Sequence, residues 1–211
     1  IAIAAKKSWE LGGAPVKAAD RGETDPVVVA GGPCATNPEP LYAFIDAFII
    51  GDGEDAIREL TDALRECKRA NLPRVQRLKR LSRIEGVYVP SLYDVRYHAD
   101  GTIETFVKKE EDAPLPVMKR FVSDLENAPY PVAPPVPYLQ TVHDRIVLEI
   151  MRGCTRGCRF CHAGIFYRPV RERSVEKLLA LAQELDDNTG YEEISLSSLS
   201  SGDYGCLQEL C

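Results

Sequence analysis

Short β-branched runs closed by glycine turns dominate the first third of the chain. Val27-Val28-Val29-Ala30 ends at Gly31-Gly32-Pro33, and Ala47-Phe48-Ile49-Ile50 ends at Gly51-Asp52-Gly53. Each predicts a buried strand running into a turn. Pro40 to Ile45 reads as a short helix between them. From Glu54 to Ala70 the apolar spacing changes to that of a helix, with Ile57, Leu60, Leu64 and Cys67 on one face. Glu54 and Asp55 at its start and Lys68 and Arg69 near its end suit the helix dipole. Strand, helix, strand, helix predicts a parallel sheet with covering helices, although two strands are too few for a complete doubly wound sheet.

Residues 71–128 are less regular. Gly86 to Pro90 and Tyr93 to Tyr97 read as strands, with His98-Ala99-Asp100-Gly101 as a hairpin turn into Thr102 to Val107. The prolines crowded between Pro129 and Pro137 remove so many amide donors that an extended connector is expected, and we place the main domain boundary there. Arg145 to Met151 then alternates Ile146, Leu148 and Ile150 against Val147 and Glu149, as a strand does. Ser174 is a good N-cap for a helix carrying Leu178, Leu181, Ala182 and Leu185 on one side. Glu193 to Ser200 follows as a strand with Ile194 and Leu196 inward. This βαβ unit puts a cysteine-rich loop at the carboxyl end of its first strand, the edge that carries chemistry in such sheets and barrels.

Composition narrows the class. The 211 residues are 45% hydrophobic and 27% charged, which is ordinary for a globular chain. A net charge of −6 argues against a polyanion-binding surface spread over the whole molecule. No apolar stretch is long enough to span a membrane, and a cytoplasmic setting is expected. The cysteines number seven, an odd count with three crowded into eight positions, which fits metal chemistry in a reducing compartment better than disulfide staples.

Those three are Cys154-Thr155-Arg156-Gly157-Cys158-Arg159-Phe160-Cys161. Random scatter of the cysteines would give this spacing with a probability of roughly 0.008, so the motif is specific. Thiolates suit soft metals, and Gly153 and Gly157 let the loop fold around a cluster. Arg152, Arg156 and Arg159 are placed to offset thiolate charge. Three thiolates are one short of the four that usually hold a cubane cluster, and a missing ligand leaves a position for substrate. Two other readings use the same loop. Cys158-x-x-Cys161-His162 fits a c-type haem attachment but leaves Cys154 without a role. A structural zinc site would need Cys161 and the adjacent His162 on one tetrahedron; as a non-catalytic zinc-binding module, this is the alternative function.

With Phe160 before the last cysteine and a strand before the loop, the Cys154-x3-Cys158-x2-Cys161 motif resembles the radical S-adenosylmethionine (SAM) superfamily. Val29-Ala30-Gly31-Gly32-Pro33 and Phe48 to Glu54 resemble the end of a cobalamin-binding, Rossmann-like domain. Glu149 to Cys161 with Tyr167 to Ser174 resembles an uncharacterised bacterial subgroup carrying that domain. The resemblance implies an α/β chain with a partial Rossmann-like (flavodoxin-type) domain over 1–70, an irregular segment and connector over 71–140, and the start of a partial TIM-type radical SAM barrel over 141–211. By that resemblance the chain is expected to be an internal fragment of a longer protein.

The implied activity is reductive cleavage of SAM at a [4Fe-4S] cluster held by Cys154, Cys158 and Cys161. The resulting 5′-deoxyadenosyl radical acts on an unknown substrate, and methyl or methylthio transfer is one outcome the resemblance suggests. Phe160 would contact the adenine, and Ser201 and Gly202 the methionine end. Gly31 and Gly32 would let a nucleotide tail approach the backbone. A reductant protein such as flavodoxin or ferredoxin is implied as partner, with a small molecule or RNA as substrate. Cobalamin is raised as a further cofactor, but the family's Asp-x-His-x-x-Gly cobalt-ligating loop is absent from this chain.

Outside that loop the residues have plainer readings. Cys34 and Cys67 are expected as buried small hydrophobes, and His98 as a turn residue. Between Arg65 and Arg83 eight basic residues accompany one acid, Glu66. With no aromatic residues interleaved, this reads as a solvated basic connector rather than an RNA-binding patch. Arg168, Arg171 and Arg173 either hold a substrate carboxylate or pair with acids at the barrel rim.

Overall fold

The computed structural model describes residue 7, residues 9–139 and residues 141–211. It divides into two compact units, Ile1–Phe121 and Val122–Cys211, with the proline-rich run inside the second.

The first unit is built on three short strands in the order β1-β2-β3: β1 (Val29–Ala30), β2 (Ala47–Ile49) and β3 (Val87–Tyr88). β1 and β2 are parallel, but β3 runs antiparallel to β2 with Tyr88 opposite Phe48, so the expected parallel sheet is mixed. Two helices, not one, separate β2 from β3: α1 (Glu54–Arg69) and α2 (Arg74–Leu81). The first carries the chain back along the sheet and the second returns it. β3 therefore enters beside the carboxyl end of β2, where the Ile50 amide donates to the Gly86 carbonyl at 2.7 Å. The predicted helix over Pro40 to Ile45 is only a 3-10 turn at Glu39–Leu41.

α1 buries Ala56, Leu60, Ala63 and Cys67, while Ile57 is 48% exposed. Leu60 and Cys67 keep their predicted places while Ala56 and Ala63 replace Ile57 and Leu64, so the buried face is turned by ~50°, half of one residue step. Ala56 and Ala63 take the inner positions, where a small side chain lets the helix lie close to the sheet.

α2 falls in a stretch that reads as a connector. Its buried set is Arg74, Leu78 and Leu81, and the basic residues around them hide that apolar signal. Six of the eight cations in this run face carboxylates: Arg65 with Asp62, Arg74 with Asp46, Arg77 with Glu23, Lys79 with Glu110, Arg80 with Glu66 and Arg83 with Asp112. The run is an ordered helix and its flanks, largely neutralised by carboxylates that the rest of the first unit brings to it. A hairpin of β4 (Tyr93–Tyr97) and β5 (Ile103–Lys108) completes the unit, its turn closed by the His98 amide on the Thr102 carbonyl at 2.9 Å.

The second unit holds the βαβ arrangement. β6 (Ile146–Glu149) continues into β7 (Met151–Arg152), which pairs with β8 (Arg171–Glu172) after the short helix α3 (Ala163–Phe166). α4 (Val175–Thr189) crosses back to β9 (Ile194–Ser197), which lies parallel to β6. A last turn, α5 (Leu207–Leu210), ends the chain. Ile146, Leu148 and Ile150 are buried as their alternation requires, against Leu178, Leu181 and Leu185 of α4. The Ser174 hydroxyl accepts from the Lys177 amide at 3.1 Å and caps α4. Ile194, expected inward, is 51% exposed, because β9 has β6 as its sole strand partner among the described residues. The structure is mixed α/β with small sheets, and the described residues form no closed barrel. No described helix is long and apolar enough to cross a membrane.

Candidate functional site

The β6–β7 strand delivers the chain to Gly153 at the carboxyl edge of the second unit. Gly153 has φ +97°, and a Cβ there would sit 2.8 Å from the Pro169 carbonyl oxygen and 2.9 Å from the Val170 Cα. The backbone of the loop before β8 occupies the space a side chain would need, so glycine is required both for conformation and for packing. Gly153→Ala is expected to cost about 2 kcal/mol or more, through strain plus overpacking, and to loosen the cysteine loop. Thermal unfolding of the variant and faster amide exchange at residues 153–158 check this.

Residues 153–158 have no regular structure, and Gly157 takes φ +64° within them. Cys154 and Cys161 are half-buried, Cys158 is exposed, and all three are free thiols. The Arg156 amide points at the Cys154 Sγ at 3.5 Å, and the Cys161 amide bonds the Cys158 carbonyl at 3.0 Å. Among the described residues no three His, Cys, Asp or Glu side chains converge as a metal site. The thiols share one loop without being gathered about a point. Phe160 is 92% exposed at the loop tip, and exposed His162 precedes α3.

One contact ties this loop to the turn after β9. The Arg156 Nε donates to an Asp203 carboxylate oxygen at 2.7 Å, its Nη2 donates to the other, and the Ser200 hydroxyl donates to the first at 2.7 Å. The Arg156 guanidinium, then the Ser200 hydroxyl, hold the Asp203 carboxyl below the usual carboxylate range. A depressed carboxyl keeps its pairing above the ordinary value, and the contact is lost as pH falls through the lowered one. Arg156 is in turn held charged, chiefly by Asp203 and to a lesser extent by Cys154 and Cys158. Ser201 and Gly202 lie in the 3-10 turn Ser201–Asp203, so this contact links the predicted cluster loop to the predicted methionine-end segment. The pairing spans 47 residues, and no local motif announces it.

The arginines near the loop behave differently from expectation. Arg152 makes a two-pronged contact with Glu149, both arms at 2.9 Å, and Arg156 is turned to Asp203, so of the three cations Arg159 alone matches the simple picture of a group facing solvent beside the thiols. Arg171 and Arg173 are buried. Arg171 donates to the carbonyls of Pro169, Val122 and Tyr167, and Arg173 donates to that of Leu125, lies over the Tyr130 ring at 5.2 Å and approaches Glu149 at 3.7 Å. They brace the strand edge from behind. The Tyr130 hydroxyl, donating to the Val147 carbonyl and accepting from the Glu149 amide, moors the proline-rich run along β6.

Gly31 and Gly32 belong to the first unit, at the carboxyl end of β1. Gly32 has φ +91° and leads into the 3-10 turn Pro33–Thr36; a Cβ on it would meet nothing within 4 Å. Cys34 in that turn is exposed, not buried as expected, because the turn packs Ala35 inward instead; Cys67 is buried on the inner face of α1.

A family model described as "Radical SAM proteins, N-terminal" matches residues 6–90, and one described as "Radical SAM superfamily" matches residues 148–206. The two matches support a place in the radical SAM superfamily. The second spans the cysteine loop, α4, β9 and the Ser201–Asp203 turn, while the first spans β1 to β3 with Gly31 and Gly32. An "Uncharacterized protein MJ0966" of Methanocaldococcus jannaschii is 29% identical over 188 residues, covering 88% of this chain and 34% of that protein. The chain thus spans about a third of the length of this relative. No solved structure matches the chain.

Proposed function

We propose that the second unit is the start of a radical SAM barrel and that Cys154, Cys158 and Cys161 hold a [4Fe-4S] cluster there. The observation that carries this reading is the position of the loop: three free thiols follow the first strand of a parallel β6–α4–β9 unit, at its carboxyl edge, within the radical SAM match. The donor set fits the group. Three soft thiolates on a loop free of ladder hydrogen bonds can take three irons of a cubane and leave one for a chelating cosubstrate. When bound, such a cluster supplies the electron that cleaves the SAM sulfonium and yields a hydrogen-abstracting carbon radical.

The chain's own residues set up that chemistry. Gly153 allows the loop to leave the strand, and the Arg156–Asp203 contact holds it beside the Ser201-Gly202 backbone, which we assign to the methionine end. Phe160 stands at the tip for the adenine. The first unit we read as the end of a Rossmann-like domain. Cobalamin is not part of the proposal, since the chain contains no Asp-x-His-x-x-Gly loop. A flavodoxin- or ferredoxin-like protein is the reductant we expect.

Anaerobic reconstitution with iron and sulfide tests the reading. We expect about four irons and about four sulfides per chain, and a reduced-cluster EPR signal that changes when SAM is added. One zinc per chain, with no sulfide and no signal, would overturn it and make the loop a structural clip.

A further inference from the structure

A cavity of about 520 Å³ lies wholly within the first unit, at the edge of the sheet opposite Gly31 and Gly32. It opens between the residues leading into β2 (Ile45 and Asp46), the end of β3 and the first residues of β4. Its size is that of a small-molecule site. Tyr42, Tyr88, Tyr93 and Tyr97 all line it. Tyr88 and Tyr93 are buried with ring centroids 5.0 Å apart, whereas Tyr42 and Tyr97 are 54% and 55% exposed.

The charges around the cavity sort into paired and unpaired. Asp46 is neutralised by Arg21 and Arg74, and Asp94 by Lys109. Two groups remain. Lys17 has no ion-pair partner among the described residues. Glu39 accepts the Tyr88 hydroxyl on Oε1 at 2.7 Å and has no partner on Oε2 among the described residues. Burial, and then Glu39, push the Tyr88 phenol upward, so it stays a donor and keeps the carboxylate an acceptor. A ligand for this cavity has flat apolar faces, a hydrogen-bond donor edge and a negative end. An organic cation in an aromatic cage would satisfy the rings and Glu39 but would face Lys17 unneutralised.

We propose that this cavity binds a nucleotide, the base lying against the tyrosine rings, its amino edge on Glu39 and its phosphate on Lys17. Aromatic faces take any base, a carboxylate accepts from an exocyclic amine, and an ammonium meets a phosphate. The site does not depend on the cluster reading, since it shares no residue with the cysteine unit. The nucleotide is either free or the end of an RNA chain.

Calorimetric titration of the full chain with the four nucleoside 5′-monophosphates, their nucleosides and a short 5′-phosphorylated RNA tests this. We expect at least one monophosphate to bind more tightly than its nucleoside, and Lys17→Ala to abolish that difference. Tyr42→Ala with Tyr97→Ala should weaken binding about tenfold or more while the melting temperature is kept, because both rings are half exposed. Tighter binding of the RNA than of the free nucleotide identifies an RNA end as the source, and the reverse identifies a free nucleotide. Absence of binding up to about 1 mM for every probe, or unchanged affinity in the tyrosine variant, overturns the proposal.

Discussion

Cys158→Ala, reconstituted without oxygen, is expected to fold as the parent does and to retain almost no iron or sulfide. The Cys158 side chain is exposed and makes no hydrogen bond among the described residues; its carbonyl, which accepts the Cys161 amide, survives the substitution. Replacing an exposed side chain that makes no hydrogen bond changes stability by at most about 0.5 kcal/mol, so circular dichroism and melting temperature should hardly move. Loss of iron would then report loss of a ligand. Even residues that only orient metal ligands cost about 10–100-fold when removed, so SAM cleavage should fall by more than about 100-fold. Cys34→Ala and Cys206→Ala, equally exposed but off the loop, should keep full iron. A Cys158→Ala protein with undiminished iron and sulfide would remove this residue from the ligand set.

Asp46→Ala is expected to lower the melting temperature by about 10 °C or more, or to unfold the first unit outright. Asp46 precedes β2 with its side chain 2% exposed. One carboxylate oxygen accepts from Arg21 at 2.7 Å and from the Val28 amide at 2.8 Å, and the other from Arg74 at 2.8 Å. The arginine side chains are 0% and 7% exposed. Truncation leaves two guanidinium groups buried without their counter-charge, and breaking such a group from one side costs about 3–5 kcal/mol. That is a large part of the roughly 5–15 kcal/mol that holds a domain together. Asp46→Asn keeps an acceptor and should fall between parent and Ala. A melting temperature unchanged in Asp46→Ala would show that the trio contributes nothing net. The same trio explains why α2 could not be recognised from its pattern: Arg74 is a core residue whose partner lies 28 positions away.

Part of the local structure was legible. The spacing of the cysteine motif, the Ser174 cap, the alternation of Ile146, Leu148 and Ile150 and the His98 turn depend on residues a few positions apart. Features that turn on which surface an element meets were not. Ile57 and Ile194 look as apolar as their buried neighbours, yet one lies beside the closer-packing face of α1 and the other on a strand with one described partner. The basic run through α2 reads as a solvated connector, and the fold brings Glu23, Asp46, Glu110 and Asp112 to neutralise it.

By itself, then, the amino-acid order determined the α/β character, the strand–loop–helix–strand unit and the thiol motif at its carboxyl edge, because these follow from hydrogen-bonding periods and short-range spacing. Tertiary structure alone decided the antiparallel return of β3, the Arg156–Asp203 contact, the buried Arg21–Asp46–Arg74 trio and the tyrosine-lined cavity. Each of these joins groups far apart in the chain, and the free energy that selects them, desolvation balanced against pairing, exists only once packing has brought those groups together.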